Sequence, residues 1–411
     1  MSSHFFYECV NCGNEYSITE IIYLCPECSN SKQELPPKGI FKILYDYEKL
    51  KHAGIGFDAL NHSKYLDLLP IKSLAALPPL QIGSTPLYHI KQIDDKNLPF
   101  DLYLKDDSQN PTFSFKDRAS SLVSAFAKEH GLDTIITAST GNAGSSMAGI
   151  CATQRQKAIV MVPSSAPIAK LTQIIMYGAM IIPIKGTYDD AFELSIKASK
   201  HFGWYNRNTA FNPITTEGKK TVAFELFEQM NKTIPDRIFV PVGDGVIISG
   251  VYKGFEDLLK LNIIQTIPII VAVQSEGSDN LIRNLKTDTF QSKPSLTIAD
   301  SISVDYPRNF YMTKTFLNNY QGEHITVSDV EILEASSKLA RNTGIFSEPA
   351  AAAAYAGFLK FQREEKIKPG GKNVVLLTGS GLKDIQSVIH SIRMPDPVEP
   401  NVKEIEKLVK P

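Results

Sequence analysis

Between residues 115 and 377 the sequence alternates between apolar runs that predict strands and amphipathic segments that predict helices. The predicted strands are DTIITAS, AIVMVP, MIIPI, RIFVPV, IPIIVAVQSEG and NVVLLTG. The predicted helices cover 115–130, 142–155, 248–260, PIAKLTQIIMYGA, YDDAFELSIKASKHFG and FSEPAAAAAYAGFLKFQREE. Because the strand segments are mostly apolar, both faces of their sheets need cover. The alternation therefore predicts an α/β fold, with parallel sheets between layers of helices.

The size and charge of the chain exclude several classes of protein. With 411 residues it exceeds the size at which one hydrophobic core usually stops growing, so we expect at least two domains. The net charge of −1 favours binding neither to nucleic acid nor to an anionic membrane. No apolar run is long enough to span a bilayer, and MSSHFFYECV does not resemble a secretory signal. We therefore expect a cytoplasmic protein that acts on a small molecule.

Four of the five cysteines form two C-x-x-C pairs near the start of the sequence, Cys9 with Cys12 and Cys25 with Cys28. Two such turns brought together give four thiolates in a tetrahedron, which suits structural Zn²⁺. Two disulfides or free thiols are the alternatives, although a reducing cytosol argues against disulfides. The fifth, Cys151, stands in the apolar context MAGICAT and is expected to be a buried small side chain.

Three predicted strands end in loops of small or polar residues, where ligands of open α/β sheets bind. DTIITAS leads into residues 140–146, TGNAGSS, where Asn142 offers an amide at a helix start. RIFVPV leads into residues 243–250, GDGVIISG, whose backbone N–H groups suit a phosphate. NVVLLTG carries Thr378 at its end. An ordinary tight turn, a helix cap and a hydroxyl bonded to local backbone are the respective alternatives.

A lysine, Lys116 in NPTFSFKDRASS, is predicted at a helix N-terminus, where a cation is electrostatically unfavourable. A solvated ammonium beside Asp117 is the simplest explanation. A helix start and an apolar site also lower the pKa of a lysine, which supplies the free amine that proton transfer needs. Together, the amine, the amide, the hydroxyl and the phosphate loop match the groups of pyridoxal phosphate, an electron sink whose aldehyde forms a Schiff base with lysine.

These motifs resemble those of fold type II pyridoxal-phosphate enzymes, and most closely those of the threonine synthase family. The resemblance lies in NPTFSFKDR, ASTGNAGSS, PVGDGVIISGVYKGF, SEPAAAA, LLTGSGLKD, GIFKILYDYEKL and the cysteine segment, from about residue 9 to 385. It implies two parallel-sheet α/β domains and an N-terminal zinc-ribbon-like segment, and a homodimer is expected. The expected parts are a zinc-ribbon-like segment at 1–35, a large cofactor-binding domain at 36–119 and 209–390, a small mobile domain at 120–208, and a C-terminal tail at 391–411.

The resemblance also implies a role for each matching residue. Lys116 becomes the Schiff-base lysine and proton carrier, Asn142 contacts the ring oxygen, and Thr378 contacts the pyridine nitrogen. The phosphate loop would consist of Gly243, Asp244, Gly245, Val246 and Ile247. The substrate contacts would be Ser139, Thr140 and Gly141 near the carboxylate, together with Lys105. The implied activity is a lyase that converts O-phosphohomoserine and water to L-threonine and phosphate.

Several positions depart from the family pattern. Phe113 and Ala119 stand where glycine is usual or frequent, and Ser380 replaces a larger polar residue. In NTAFNPITTEGKKT, Ala210 and Thr215 stand where the family has a serine and an arginine that bind the substrate's phosphate. Losing a charge-assisted contact of that kind costs roughly 1.5–3 kcal/mol. The bulk of Phe113 beside the lysine also suggests an altered substrate.

Either another cation or another leaving group must compensate for the missing arginine. The candidate cations near in sequence are Lys105, Arg207, Lys219 and Lys220. With another leaving group, the chain would be a β- or γ-replacement or elimination enzyme of the same fold, cysteate synthase-like or dehydratase-like. A cofactor-binding regulator without activity is a third hypothesis.

Overall fold

The computed structural model describes residues 5–18, 21–29, 35–389, 392 and 394–409. Its strands are β1 (Phe5–Cys9), β2 (Glu15–Ser17), β3 (Phe41–Tyr45), β4 (Leu87–Ile93), β5 (Lys96–Asp106), β6 (Thr134–Ala138), β7 (Lys157–Pro163), β8 (Met180–Ile184), β9 (Tyr205–Asn206), β10 (Arg237–Pro241), β11 (Ile269–Ser275), β12 (Glu323–Val327) and β13 (Lys372–Leu377). Its helices are α1 (Tyr47–His52), α2 (Phe57–His62), α3 (Lys116–Glu129), α4 (Asn142–Gln154), α5 (Ile168–Met176), α6 (Tyr188–Phe202), α7 (Ile214–Gln229), α8 (Val246–Lys260), α9 (Phe310–Asn319), α10 (Asp329–Thr343), α11 (Pro349–Arg363), α12 (Gln386–Ile389) and α13 (Val402–Val409).

The larger sheet has six strands in the order β12-β11-β10-β13-β5-β4. Its pairs are parallel except at one edge, where β4 runs antiparallel to β5. Alternate residues along β10 pack into different hydrophobic clusters, with Ile238 and Val240 in one and Phe239 in the other. Helices therefore cover both faces of this sheet, as its apolar strands predicted.

The smaller sheet has four parallel strands in the order β8-β7-β6-β9. It is built from residues 134–206, which lie inside the range expected for the small domain. Ile136 and Ile159 of its strands pack with Ala191 and Phe192 of α6. The α/β class is thus confirmed, with one parallel sheet and one sheet that is parallel except at its β4 edge. The exact domain boundaries and the mobility of the small domain stay predictions.

The N-terminal segment forms a third sheet in the order β2-β1-β3. Both neighbours of β1 run antiparallel to it, and β3 comes from residues 41–45, beyond the cysteine segment. Tyr7 of β1 stacks on Phe41 of β3, with ring centres 5.0 Å apart. This pairing anchors the cysteine turns to the rest of the molecule.

The predicted helices agree with the structure to within a few residues. The segment predicted over 115–130 is α3, and the segment predicted over 248–260 is α8, which starts two residues earlier at Val246. The earlier start follows from Gly245, whose φ of +89° caps the helix in a left-handed conformation. Among the described residues no helix combines the length and hydropathy needed to cross a membrane.

Candidate active site

A cavity of about 360 Å³ lies at the carboxyl ends of β6 and β10. It brings together many of the residues that the sequence singled out: Lys116, Ser139, Thr140, Gly141, Asn142, Gly243, Asp244, Gly245, Val246 and Ile247. The loops that carry them come from both parallel sheets. The edge of the sheet where ligands were expected is therefore where the predicted residues meet.

Lys116 is the first residue of α3, and the chain before it is fixed to the end of β13. The N–H of Phe115 donates to the carbonyl of Thr378 at 2.9 Å, and Ser114 pairs with Gly379. Burial, followed by the positive charge of Arg207, lowers the pKa of Lys116 to about 8. The site therefore holds an amine that is partly free near neutral pH.

Asp117 does not neutralise this amine, which excludes the simplest explanation for the position of Lys116. Its carboxylate is buried and accepts hydrogen bonds from the N–H of Thr112 at 2.7 Å and from the Thr112 hydroxyl at 2.5 Å. Asp117 thus fixes the turn before α3. The side chain of Lys116 is left to line the cavity.

The loop of residues 243–247 has the form of an anion cradle. Within the described part of the chain, none of its five N–H groups donates to a protein acceptor. A Cβ at Gly243 would come within 2.9 Å of Ile302 Cα, and a Cβ at Gly245 would collide with the Thr313 hydroxyl. The backbone thus runs close to its neighbours at the N-terminus of α8, a geometry that suits a phosphate.

Asp244 gives this cradle an unexpected negative charge. Its carboxylate accepts a hydrogen bond from the N–H of Arg308 at 3.2 Å. Burial raises the pKa of Asp244, while the nearby charges of Arg308, Lys219 and Lys116 oppose that rise. A phosphate in the loop would therefore share its surroundings with a carboxyl group and three basic side chains.

Asn142 is the first residue of α4 rather than its cap, which is Gly141, so the alternative of an ordinary helix cap is excluded. Its Nδ2 donates to both carboxylate oxygens of Glu348 at 2.9 Å each. Glu348 directly precedes α11 and is buried, and burial raises its pKa. The sequence interpretation missed Glu348, although an acidic residue before the apolar PAAAAAY helix was a visible hint.

Thr378 is buried at the end of β13 but is not among the residues that line the cavity. Its carbonyl holds Phe115, so Thr378 lies next to the segment that carries Lys116. Ser139, Thr140 and Gly141 do line the cavity, and the Ser139 hydroxyl accepts from the N–H of Gly141 at 3.2 Å. The structure therefore brings the three predicted substrate contacts of this loop to the cavity.

The structure corrects the prediction that Lys105 contacts the substrate. Its side chain is fully buried away from the cavity and donates to Thr85 O at 2.7 Å, Glu225 at 2.8 Å and Gln229 at 2.9 Å. All three donors of the ammonium group are thus used. Lys220 is similarly excluded as a ligand of the leaving group, because its ammonium donates to Glu217 at 2.5 Å and to Asp257 at 2.7 Å.

The other two candidate cations retain unused donors. Lys219 lines the cavity, and its Nζ is buried and has no hydrogen-bond partner in the described part of the chain. Arg207 donates through Nη1 to Thr209 at 2.8 Å and through Nε to Ser120 at 3.3 Å. Its Nη2 is buried without a partner among the described residues.

The positions that depart from the family pattern do not compensate for the missing arginine. Thr215 is fully buried, and its hydroxyl donates to the carbonyl of Asn212 at 2.7 Å. Phe113 is 51% exposed and does not line the cavity, so its ring does not restrict the substrate as its position suggested. Its φ of +67° explains why glycine is usual at this position.

The cavity wall also contains residues that the sequence interpretation did not single out. Arg308 precedes α9 and donates to Asp189 of α6 at 2.5 Å. Its guanidinium lies 3.8 Å from the centre of the Phe192 ring. Tyr188 and Ser301 complete this side of the cavity. No motif pointed to this group, because its members come from segments that are more than a hundred residues apart.

The four cysteines of the N-terminal segment form a second candidate site. Their sulfur atoms all lie within 4.8 Å of one another. The Sγ atoms of Cys12 and Cys25 are 3.8 Å apart, well beyond the length of a disulfide bond. Gly39 packs on this cluster so closely that a Cβ there would lie 2.9 Å from Cys28 Cβ. The arrangement suits a tetrahedral metal ion and leaves Cys151 apart as a buried thiol.

Comparisons with known proteins agree with this geometry. Residues 79–379 match the family described as pyridoxal-phosphate dependent enzyme. The threonine synthase of Methanocaldococcus jannaschii is 34% identical over 411 residues, and the one from Methanosarcina acetivorans is 33% identical over 412 residues. Each alignment covers 98% of both proteins.

Solved structures show the same fold at lower identity. The processed form of threonine deaminase isoform 2 from Solanum lycopersicum superimposes with a TM-score of 0.65 at 22% identity. The match covers 74% of this chain and 82% of the deaminase chain. At this level of identity the likeness establishes the architecture but not the reaction.

Proposed function

The chain belongs to the threonine synthase family of pyridoxal-phosphate-dependent enzymes, and on that premise we propose that it converts O-phosphohomoserine and water to L-threonine and phosphate. The observation that carries the proposal is one cavity in which the Lys116 amine, with a pKa lowered to about 8, adjoins the cradle of residues 243–247. A reactive amine beside a phosphate site is the arrangement that this chemistry needs.

The residues of the cavity fit pyridoxal phosphate. Lys116 would hold its aldehyde end, the N–H groups of residues 243–247 its phosphate, and Asn142 its ring oxygen. The contact of Thr378 with the ring nitrogen stays a prediction, because Thr378 does not line the cavity. The five unpaired N–H groups and the close approach at Gly245 support this fit. When bound, the cofactor withdraws electrons from the substrate's α-carbon.

The chain's own groups then carry the protons. The Lys116 amine removes the proton from Cα and a second proton from Cβ, so that phosphate can leave from Cγ. Water adds at Cβ, and protons return to Cγ and Cα. A lysine with an ordinary pKa would hold its own proton at neutral pH and could not act as this base, whereas the lowered pKa of Lys116 leaves part of the amine free. Ser139, Thr140 and Gly141 would hold the substrate carboxylate.

The leaving phosphate needs a cation in place of the family's arginine. Arg308 lines the cavity wall, and Arg207 lies behind Thr209 with an unused donor. We propose that these guanidinium groups supply the missing charge. Alanine at either position should then raise the KM for O-phosphohomoserine while the chain still binds the cofactor.

The test is to supply O-phosphohomoserine to the yellow holoenzyme and to measure both threonine and phosphate. Equal amounts of the two products, absent with Lys116→Ala, are the expected result. The Ala210 and Thr215 positions support a second candidate, a replacement or elimination enzyme that acts on another O-activated amino acid. Turnover of O-phosphoserine or an O-acyl substrate, with none of O-phosphohomoserine, would favour that candidate.

We also propose that the four cysteines hold one structural Zn²⁺. The support is the cluster of four sulfur atoms, whose closed arrangement leaves no position for a substrate. Elemental analysis of the purified protein should give one zinc per chain, and Cys25→Ser should lower that content. A protein that contains no metal and keeps its melting temperature in a strong chelator would contradict this proposal.

A further inference from the structure

The phosphate cradle contains an acidic side chain whose negative charge its backbone N–H groups do not neutralise. Asp244, which is half-buried, places a carboxyl group in the loop whose N–H groups have no acceptor among the described residues. Two negative groups in a buried site repel each other unless a cation lies between them. Arg308 meets Asp244 through its backbone N–H, while its guanidinium donates to Asp189.

Lys219 lies where it can supply the missing charge. It belongs to α7, and it packs on α8 at Gly250, where a Cβ would lie 2.7 Å from Lys219 Cβ. Gly250 is one turn past Val246, so the N-terminus of α8 lies about 6 Å away along the helix axis. The four-carbon stem of a lysine spans about that distance. An extended Lys219 side chain is therefore long enough to span the distance from Gly250 to the cradle.

The side chain of Lys219 is consistent with this direction. Lys219 lines the same cavity, and its Nζ is buried and is without a partner in the described residues. Burial, followed by the charges of Lys116 and Arg207, lowers the pKa of Lys219, and the charge of Asp244 opposes this effect. The ammonium form thus has no hydrogen-bonded counter-ion among the described residues, and a dianionic phosphate would provide one.

We infer that Lys219 is a ligand of the cofactor's phosphate, and that it offsets the carboxyl group of Asp244 within the cradle. This inference rests on cofactor binding and is independent of which amino acid the enzyme converts. It assigns Lys219 to the cofactor rather than to the leaving group of the substrate. The phosphate binding free energy then comes from a side chain as well as from the backbone N–H groups.

The inference is tested by comparing pyridoxal phosphate with pyridoxal, which lacks only the phosphate. Full-length protein freed of cofactor is titrated with each compound, and the ratio of the two dissociation constants measures what the phosphate contributes. In Lys219→Gln and Lys219→Met, pyridoxal phosphate should bind about tenfold more weakly, with no loss of affinity for pyridoxal. Because Lys219 Nζ has no hydrogen bond to lose among the residues that the structure describes, both variants are expected to fold.

Two further variants sharpen this test. Asp244→Asn removes the repulsion and should tighten the binding of pyridoxal phosphate relative to pyridoxal. Lys232→Gln removes a cation that pairs with Asp58 at 2.6 Å on the surface, away from the cavity, and it should leave the ratio unchanged. A wild-type ratio in both Lys219 variants would overturn the inference, and so would a raised KM for a phosphorylated substrate with an unchanged ratio. Wild-type protein that binds neither compound would instead contradict the proposed function.

Discussion

Two neighbouring lysines on α7, Lys219 and Lys220, have opposite surroundings although both are fully buried. Lys220 donates to Glu217 and Asp257 and also lies 4.1 Å from the centre of the Tyr45 ring. Lys219, one residue earlier, faces the cavity without a hydrogen-bond partner among the described residues. One position uses a buried charge to join α7 to its neighbours. The Lys219 side chain remains available to bind a ligand.

Other buried charged side chains near α7 are paired in the same way as Lys220. Arg118 of α3 donates through Nε to Asp107 at 2.5 Å and through Nη1 to Glu225 at 2.6 Å. Glu225 also accepts from Lys105 at 2.8 Å. This chain therefore pairs its buried charges thoroughly away from the cavity. The unpaired donors of Lys219 and Arg207 beside the cavity therefore indicate that a ligand binds there and accepts hydrogen bonds from them.

The largest expected effect separates function from stability at Lys116. Replacing it with alanine should lower kcat/KM by about a thousandfold or more, because the chain loses its proton carrier. The free energy of unfolding of the cofactor-free protein should hardly change, since the amine forms no hydrogen bond or ion pair with any described residue that the substitution would leave unpaired. Steady-state assays and urea titrations measure the two quantities. A large loss of stability would show that Lys116, like Lys220, is held in an ion pair that stabilises the fold.

The next largest effect tests the ion pairs of Lys220. Lys220→Met should lower the free energy of unfolding by about 3–5 kcal/mol, because it leaves Glu217 and Asp257 buried without one of their partners. Lys253, which also bonds to Asp257, offsets part of this loss. Urea unfolding of the cofactor-free protein gives the measurement. A value near zero would mean that the network does not stabilise the fold.

The same substitution one residue earlier should have the opposite sign. Lys219→Met keeps most of the side-chain volume and removes a buried amine that lacks a partner, which costs about 1–3 kcal/mol. We therefore expect the cofactor-free variant to be more stable than the wild type. The two lysine variants form a matched pair, since they differ only in position along one helix. If both lower the stability, the distinction drawn between these two positions fails.

The sequence predicted the backbone of the site better than its side-chain partners. Loops at strand ends follow from local periodicity, so Asn142 and residues 243–247 could be singled out before the structure, and Lys116 could be singled out from its place at a predicted helix start. Lys105 could not, because Glu225, which binds it, lies 120 residues away in the sequence. Glu348 was missed for the same reason, since it lies 206 residues from Asn142. A cation in a sequence pattern shows its charge, whereas only the fold shows whether that charge is already paired.

The smallest expected effect is the pH dependence of the reaction of Lys116 with the cofactor. The pKa of Lys116 lies near 8 because burial and Arg207 disfavour its charged form. The neutral amine is the form that attacks an aldehyde, so the rate of pyridoxal phosphate capture should rise about tenfold between pH 7 and pH 9 and level off above that. Stopped-flow absorbance measures this rate, and a free lysine derivative with an ordinary pKa, whose rate keeps rising above pH 9, is the control. A midpoint near 10 for the protein would mean that Lys116 keeps its proton as an exposed lysine does, and the cavity would then lack a low-pKa amine.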